Sequence, residues 1–134
     1  MEGDMSASLN EQVQKLGLTE HVRFTGEIPH NKVNEFLCAS DVFALATHFE
    51  GWANVFFEAM ACGLPVITTD ICGNAEVVRN GENGLLVPFG NREALADAID
   101  KALTTREAII NYAHGRTWEQ VADEVYEQFN KILS

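Results

Sequence analysis

Two short apolar runs, separated by a stretch with helical periodicity, constrain the fold of this chain most strongly. The first run occupies residues 41–45 and reads Asp-Val-Phe-Ala-Leu; the second occupies residues 64–69 and reads Leu-Pro-Val-Ile-Thr-Thr. Uninterrupted apolar runs of this length are typical of strands that are buried on both faces, as in a parallel sheet. Their alternation with helical segments predicts βαβ units.

The rest of the chain extends this pattern. Leu9, Val13 and Leu16 share one helical face ahead of Gly17, which predicts a helix over residues 6–16. Further segments are predicted as a strand at 21–25, a helix at 31–38, a strand at 84–87, a helix with the stripe Leu95, Ile99, Ala102 and Leu103, and a closing helix from the capping box Thr117 and Gln120. We therefore expect one α/β domain over residues 1–134: a Rossmann-like parallel sheet of about four strands, with helices on both faces, truncated at its N-terminal strand, plus C-terminal helices.

The charge balance narrows the classes of partner. The chain has 134 residues, with 9 Lys+Arg against 20 Asp+Glu and a formal net charge of −11. Binding to nucleic acid or to anionic lipid calls for clustered basic residues, so neither partner is expected. No apolar stretch is long enough to span a bilayer, which predicts a soluble protein.

The three cysteines, Cys38, Cys62 and Cys72, are an odd number without CxxC spacing. This pattern argues against a disulfide framework or a structural zinc site. We expect reduced thiols and a cytoplasmic location.

The loop that follows Leu45 is the richest candidate for a site, because ligands of open α/β sheets bind at the carboxyl ends of the strands. A helix is predicted to begin near Asn54, and its unpaired amides would form an anion site without any Lys or Arg. Gly51 permits a close approach of backbone to ligand. Glu50 and Glu58 bracket these amides, and carboxylates accept hydrogen bonds from vicinal hydroxyls. Anion-binding amides between two acceptors of hydroxyl groups suit a nucleotide sugar.

Taken one at a time, these residues have simpler explanations. A glutamate near a helix start is favoured by the helix dipole alone, which would account for Glu58. Glu50 in a polar loop is explained as solvated surface, and His48 and Trp52 as packing or rim residues.

A longer segment favours a binding site over these simpler explanations. Residues 50–70 read Glu-Gly-Trp-Ala-Asn-Val-Phe-Phe-Glu-Ala-Met-Ala-Cys-Gly-Leu-Pro-Val-Ile-Thr-Thr-Asp. They resemble the E-x7-E signature of the C-terminal domain of retaining GT-B glycosyltransferases, in the large family of glycosyl transferases group 1. Segments on either side fit the same family, among them Val22–Gly26, Ala39–Val42, Gly73–Val78, Asn83–Val87 and Thr117–Trp118. The resemblance implies a glycosyltransferase that uses a nucleotide-diphosphate sugar and retains the anomeric configuration.

The resemblance also implies roles for individual residues. Glu58 would bind the ribose hydroxyls of the donor, and Glu50 would contact the transferred sugar near the reacting carbon. The amides facing the diphosphate would be those of Gly51, Trp52, Ala53, Asn54 and Val55. The nucleobase would lie against the backbone near Glu27 and Ile28, with Lys32 the basic residue just beyond. The chain departs from the commoner pattern of Gly, Leu or Val, and Pro at Ala53, Asn54 and Val55, which leaves an extra N–H at Val55.

Members of the family carry an N-terminal Rossmann-like domain for the acceptor, together with a strand and loop that supply Arg and Lys to the diphosphate. Neither is recognised here, so we expect most of a donor-binding domain of a larger enzyme, whose missing domain would bind a glycan, lipid or small-molecule acceptor. No cofactor is expected, and no metal, because the sequence has no Asp-x-Asp pair. A nucleotide-sugar binding module without turnover and a flavodoxin-like receiver domain are the alternatives.

Overall fold

The computed structural model describes residues 5–48, 54–71 and 73–114, together with residues 120, 123, 126 and 127. Five helices and three strands have defined bounds. The helices are α1 (Ser6–Lys15), α2 (His30–Cys38), α3 (Asn54–Ala61), α4 (Asn74–Val77) and α5 (Arg92–His114). The strands are β1 (Phe43–Leu45), β2 (Val66–Thr69) and β3 (Gly84–Val87).

The chain divides into two compact units, Met1–Val33 and Asn34–Ser134. In the first unit, α1 ends where its sequence predicts. Gly17 adopts φ 67°, its N–H donates to Gln14, and the N–H of Leu18 donates to Val13. This pair of bonds is a Schellman cap, which satisfies the last carbonyl groups of the helix.

The predicted strand at residues 21–25 is wrong. Residues 22–26 are irregular, and they join no sheet among the described residues. His21 and Val22 instead close turns by donating their N–H groups to the Leu18 carbonyl. The β-rich composition of the segment does not suffice, because a strand also needs a neighbour that accepts its ladder hydrogen bonds.

The second unit contains a parallel sheet of three strands in the order β1-β2-β3. Phe43 pairs with Val66 across the first interface, and Val66 pairs with Gly84 across the second. The sequence predicted these three strands, and the sheet has three members instead of about four because residues 22–26 do not join it. All four residues of β2 are buried, as expected for the central strand of a covered sheet.

Each face of this sheet is packed against a helix. On one face, Ile67, Leu85 and Val87 form a core with Ala98 and Ala102 of α5. Because side chains alternate along a strand, Phe43 and Val66 point to the opposite face. There the ring of Phe43 meets the ring of Phe56 in α3 edge-on, with 6.3 Å between centroids. The prediction of an α/β sheet with helices on both faces is confirmed.

Most of the apolar stripe predicted for α5 is confirmed. Leu95 and Ile99 pack against the sheet core beside Ala98 and Ala102. The prediction that Leu103 belongs to this stripe is wrong, because Leu103 is 49% exposed. The predicted capping residue Thr117 lies outside the described residues, and Gln120 is helical. Among the described helices, none combines the length and the apolar character that crossing a membrane requires.

Candidate functional site

The carboxyl ends of the three strands meet at one edge of the sheet, because the strands are parallel. Along the chain, β1 is followed by α3, β2 by α4 and β3 by α5. An edge of this kind is where open α/β sheets bind their ligands. The sequence predicts its candidate site after β1, at this edge.

Helix α3 begins at Asn54, as the sequence predicts. Asn54 is exposed and Val55 is half-buried, while Phe56 and Ala59 are buried against the sheet. The first amides of a helix have no partner within it and lie at the positive end of its dipole. The start of α3, at Asn54 and Val55, is therefore where the helix dipole would favour an anion.

Glu58 lies in the second turn of the same helix and is half-buried. Its neighbour Ala59 belongs to the fully buried core, whereas Glu58 is only partly buried. Its negative charge contributes to raising the pKa of the Cys62 thiol, one turn further along the chain. A half-buried carboxylate one turn from a helix start can accept hydroxyl hydrogen bonds from a ligand held by the amides of that start.

Four of the predicted site residues, Glu50, Gly51, Trp52 and Ala53, lie outside the described residues. Their roles stay predictions from the sequence. Glu27 and Ile28 are described and belong to the first unit. They lie in the irregular segment that precedes α2, with Glu27 exposed and Ile28 half-buried. The resemblance placed the base loop after a strand at Phe24–Gly26, and that strand is not formed; Lys32 lies in the first turn of α2.

A buried polar cluster at the ends of β1 and β2 was not predicted as part of the site. The Asn74 side chain is fully buried, and its Nδ2 donates to Thr68 Oγ1 at 2.9 Å and to the Thr69 carbonyl at 3.2 Å. The hydroxyls of these threonines donate in turn to the carbonyls of Leu45 and Thr47, at 2.8 Å and 2.6 Å. The cluster therefore ties the end of β1 to the end of β2 and to the start of α4.

Two atoms of this cluster have unused hydrogen-bonding capacity. Asn74 Oδ1 and Thr47 Oγ1 are buried and have no hydrogen-bond partner among the described residues. Buried polar atoms are nearly always paired, so these two are candidates for a bound water or ligand atom. The signal in the sequence is Thr68-Thr69 at the end of an apolar run, followed by Gly73-Asn74 at a helix start.

An aromatic contact also spans this edge. The ring of His48, after β1, lies over the ring of Phe89, after β3, with 4.4 Å between centroids and 33° between planes. Both side chains are exposed. This agrees with the assignment of His48 to packing or the rim. Within the described part of the chain, no three His, Cys, Asp or Glu side chains are grouped closely enough to hold a metal ion.

Comparisons with known proteins agree with this arrangement. Residues 2–116 match the family described as glycosyl transferases group 1. A D-inositol 3-phosphate glycosyltransferase of Rhodococcus erythropolis is 35% identical over 92% of this chain, and the chain spans only 29% of the length of that relative.

Two solved structures share the fold. Anabaena HepE, in complex with UDP-glucose, superimposes with a TM-score of 0.79 at 27% identity, over 98% of this chain and 37% of HepE. The C-terminal domain of LpcC, a glycosyl transferase group 1 family protein of Francisella tularensis, gives a TM-score of 0.75 at 28% identity, over 84% of this chain and 60% of that one. The chain therefore belongs to the glycosyl transferases group 1 family.

Proposed function

We propose that this chain binds the donor of a glycosyltransferase, which moves a sugar from a nucleotide diphosphate to an acceptor with retention at the anomeric carbon. The observation that carries the proposal is the start of α3 at the carboxyl edge of a parallel sheet, with the half-buried Glu58 one turn further along. Membership of the family and the likeness to HepE, solved with UDP-glucose, support it.

The groups at this helix start match the parts of such a donor. The amides of Asn54 and Val55, with those of Gly51, Trp52 and Ala53, face the diphosphate, where the helix dipole favours negative charge. Glu58 accepts hydrogen bonds from the ribose hydroxyls. Glu50 lies beside the transferred sugar. In this assignment the protein contributes positioning and stabilisation of the leaving diphosphate, with no covalent step.

The acceptor, a glycan, lipid or small molecule, is bound by another domain of a larger cytoplasmic enzyme in this proposal. The chain spans 29% of the Rhodococcus relative and 37% of HepE, which leaves room for such a domain in proteins of that length. The same coverage favours a second candidate function, in which these 134 residues alone bind the nucleotide sugar without turning it over.

Calorimetric titration tests donor binding directly. The chain is titrated with UDP, GDP and ADP and with a sugar conjugate of each. Glu58→Gln keeps the size of the side chain and removes its charge, so we expect the Kd of the preferred nucleotide to rise roughly 10- to 100-fold. Glu20→Gln makes the same change at an exposed position in the first unit, and its Kd should equal that of the unmodified chain.

A nucleotide without ribose hydroxyls sharpens the assignment of Glu58. The 2′,3′-dideoxy form of the preferred nucleotide should bind the unmodified chain and Glu58→Gln equally well, because the contact that the substitution weakens is absent. If Glu58→Gln weakens both nucleotides to the same extent, Glu58 does not bind the ribose. If no nucleotide binds, the donor-binding proposal is wrong.

Transfer itself is tested in the full-length enzyme. Glu50→Gln should lower kcat by a larger factor than it raises the KM for the donor, since the proposed contact lies near the reacting carbon. The anomeric proton coupling of the product reports retention or inversion. Turnover of Glu50→Gln within a few-fold of the unmodified enzyme would contradict the role of Glu50.

A further inference from the structure

Two cysteines that are distant in sequence lie side by side in the second unit. Cys38 is the last residue of α2, and Cys62 follows the last residue of α3. Their sulfur atoms are 2.9 Å apart, although 24 positions separate the residues in the chain. Both are free thiols in this structure, Cys38 exposed and Cys62 half-buried. The spacing in the sequence gave no sign of this pair, because it is not of the CxxC type.

The surroundings give the two thiols different roles. The hydrogen bond with Cys38 raises the pKa of Cys62 to about 11, and burial, the electrostatic interaction with Cys38 and the negative charge of Glu58 add to the effect. Cys62 therefore remains a protonated thiol at neutral pH. Cys38 has the more accessible sulfur, so it is the one that an oxidant from solution reaches first.

We propose that Cys38 and Cys62 form a redox-active dithiol, which a small disulfide such as glutathione disulfide converts into an intramolecular disulfide. The Cys38 thiolate attacks one sulfur of glutathione disulfide and releases one glutathione thiolate. Cys62 then gives up its proton, attacks Cys38 Sγ and displaces the second glutathione. Two protein thiols and one glutathione disulfide thus become one protein disulfide and two glutathione thiols, with the two electrons transferred to glutathione.

The position of the pair sets what the bond would enclose. A bond between Cys38 and Cys62 closes a ring of residues 38–62, which contains β1 and α3. It joins the carboxyl end of α2 to that of α3. Exposed, exchangeable disulfides of this kind in reducing compartments are typically transient and serve redox sensing. The inference does not depend on the identity of the ligand, and it stands apart from the proposed donor site.

Peptide mapping of the full chain provides the test. The reduced protein is exposed to glutathione disulfide, and free thiols are then blocked by alkylation. Cleavage before the aspartates at 41, 70 and 97 places each cysteine on a different peptide, with Cys38 before residue 41, Cys62 in 41–69 and Cys72 in 70–96. Before alkylation, we expect the intact chain to be lighter by the mass of two hydrogen atoms. After alkylation and cleavage, we expect the peptide with Cys38 to be linked to the peptide with Cys62.

Substitutions supply the controls. Cys72→Ser should form the same link, whereas Cys62→Ser should stop at a single glutathione adduct on Cys38. Alkylation of both Cys38 and Cys62 after exposure, stable glutathione adducts without closure, or a link to Cys72 of equal yield would each overturn the inference. The peptide map of the unmodified chain decides the matter even if a substituted chain does not fold.

Discussion

At the scale of single residues, the buried Asn74 holds the end of β2 to the start of α4. Its amide nitrogen has acceptors on both Thr68 and Thr69, and the side chain is fully buried. Asn74→Ala leaves these acceptors without their donor, so we expect a loss of about 2 kcal/mol in the free energy of unfolding. Urea denaturation measures this loss.

A second asparagine makes a suitable comparison. Asn91 is exposed, and its Oδ1 accepts from the Ala94 N–H at the start of α5. Removing an exposed cap of this type typically costs about 1 kcal/mol. If Asn91→Ala destabilises the chain more than Asn74→Ala, the buried cluster is not the stronger constraint.

The Cys62 thiol makes folding sensitive to alkaline pH. Its pKa rises from 9.0 to about 11 in the folded chain. A group whose folded pKa is raised stabilises the fold fully below its unfolded pKa, and it loses that contribution as the pH rises through the folded value. We expect the reduced chain to lose stability between pH 9 and about 11.

Comparison with Cys62→Ala isolates this term. Urea unfolding curves across the same interval, with reductant present, should show a smaller decline for the variant than for the unmodified chain. Equal declines would mean that Cys62 does not account for the pH dependence.

At the scale of the elements, Gly84 lets β3 lie close to the backbone of β2. A Cβ on this residue would overlap the Val66 carbonyl oxygen and lie 2.8 Å from Val78 Cγ1. Because the oxygen belongs to the backbone of the central strand, it cannot move aside without disturbing the ladder. Gly84→Ala should therefore cost about 2 kcal/mol in urea denaturation.

The substitution Gly81→Ala is a control that measures the effect of backbone conformation without the steric overlap. Its φ is +85°, and a Cβ there would meet nothing within 4 Å. Gly81→Ala should cost only about 1 kcal/mol, from the left-handed conformation alone. A larger loss for Gly81→Ala than for Gly84→Ala would contradict the close approach between the strands.

The helix ends that local pattern decides were predicted correctly, whereas the strand at residues 21–25, which needed a distant partner, was not. The end of α1 at Gly17 and the start of α3 at Asn54 follow from capping and periodicity. The segment 21–25 had strand composition, but composition does not specify a partner. Leu103 follows the stripe residue Ala102, and one position along a helix turns a side chain by about 100°. This rotation turns Leu103 away from the core and leaves it exposed.

In the candidate site, too, features carried by one continuous segment could be predicted, and contacts between separate segments could not. The start of α3 could be predicted because a continuous segment of the sequence carries its signals, and the role of Glu58 stays a prediction from the same segment. The contacts of Asn74 could not, because they depend on the turn at Gly73, where φ is 93°, bringing α4 back over the end of β2. The pairing of Cys38 with Cys62 likewise requires the three-dimensional arrangement of two helices.

At the scale of the whole molecule, the ligand and the chain have charges of the same sign. The formal net charge is −11, and a nucleoside diphosphate is also an anion. In the proposed site, binding relies on helix amides, which act over short distances. The remaining charges act over longer distances and repel the ligand.

This opposition predicts an unusual response to salt. Raising the ionic strength shortens the Debye length, from about 30 Å at 0.01 M to about 8 Å at 0.15 M. The screening weakens long-range repulsion more than the short contacts with amides, so the Kd of the preferred nucleotide should fall as sodium chloride is added. The matching uncharged nucleoside, titrated under the same conditions, should show little change. A nucleotide Kd that rises steadily with salt would instead indicate that basic side chains hold the phosphates. Because the chain has only 9 Lys+Arg, single Lys→Ala and Arg→Ala substitutions would then identify the side chains that bind the phosphates.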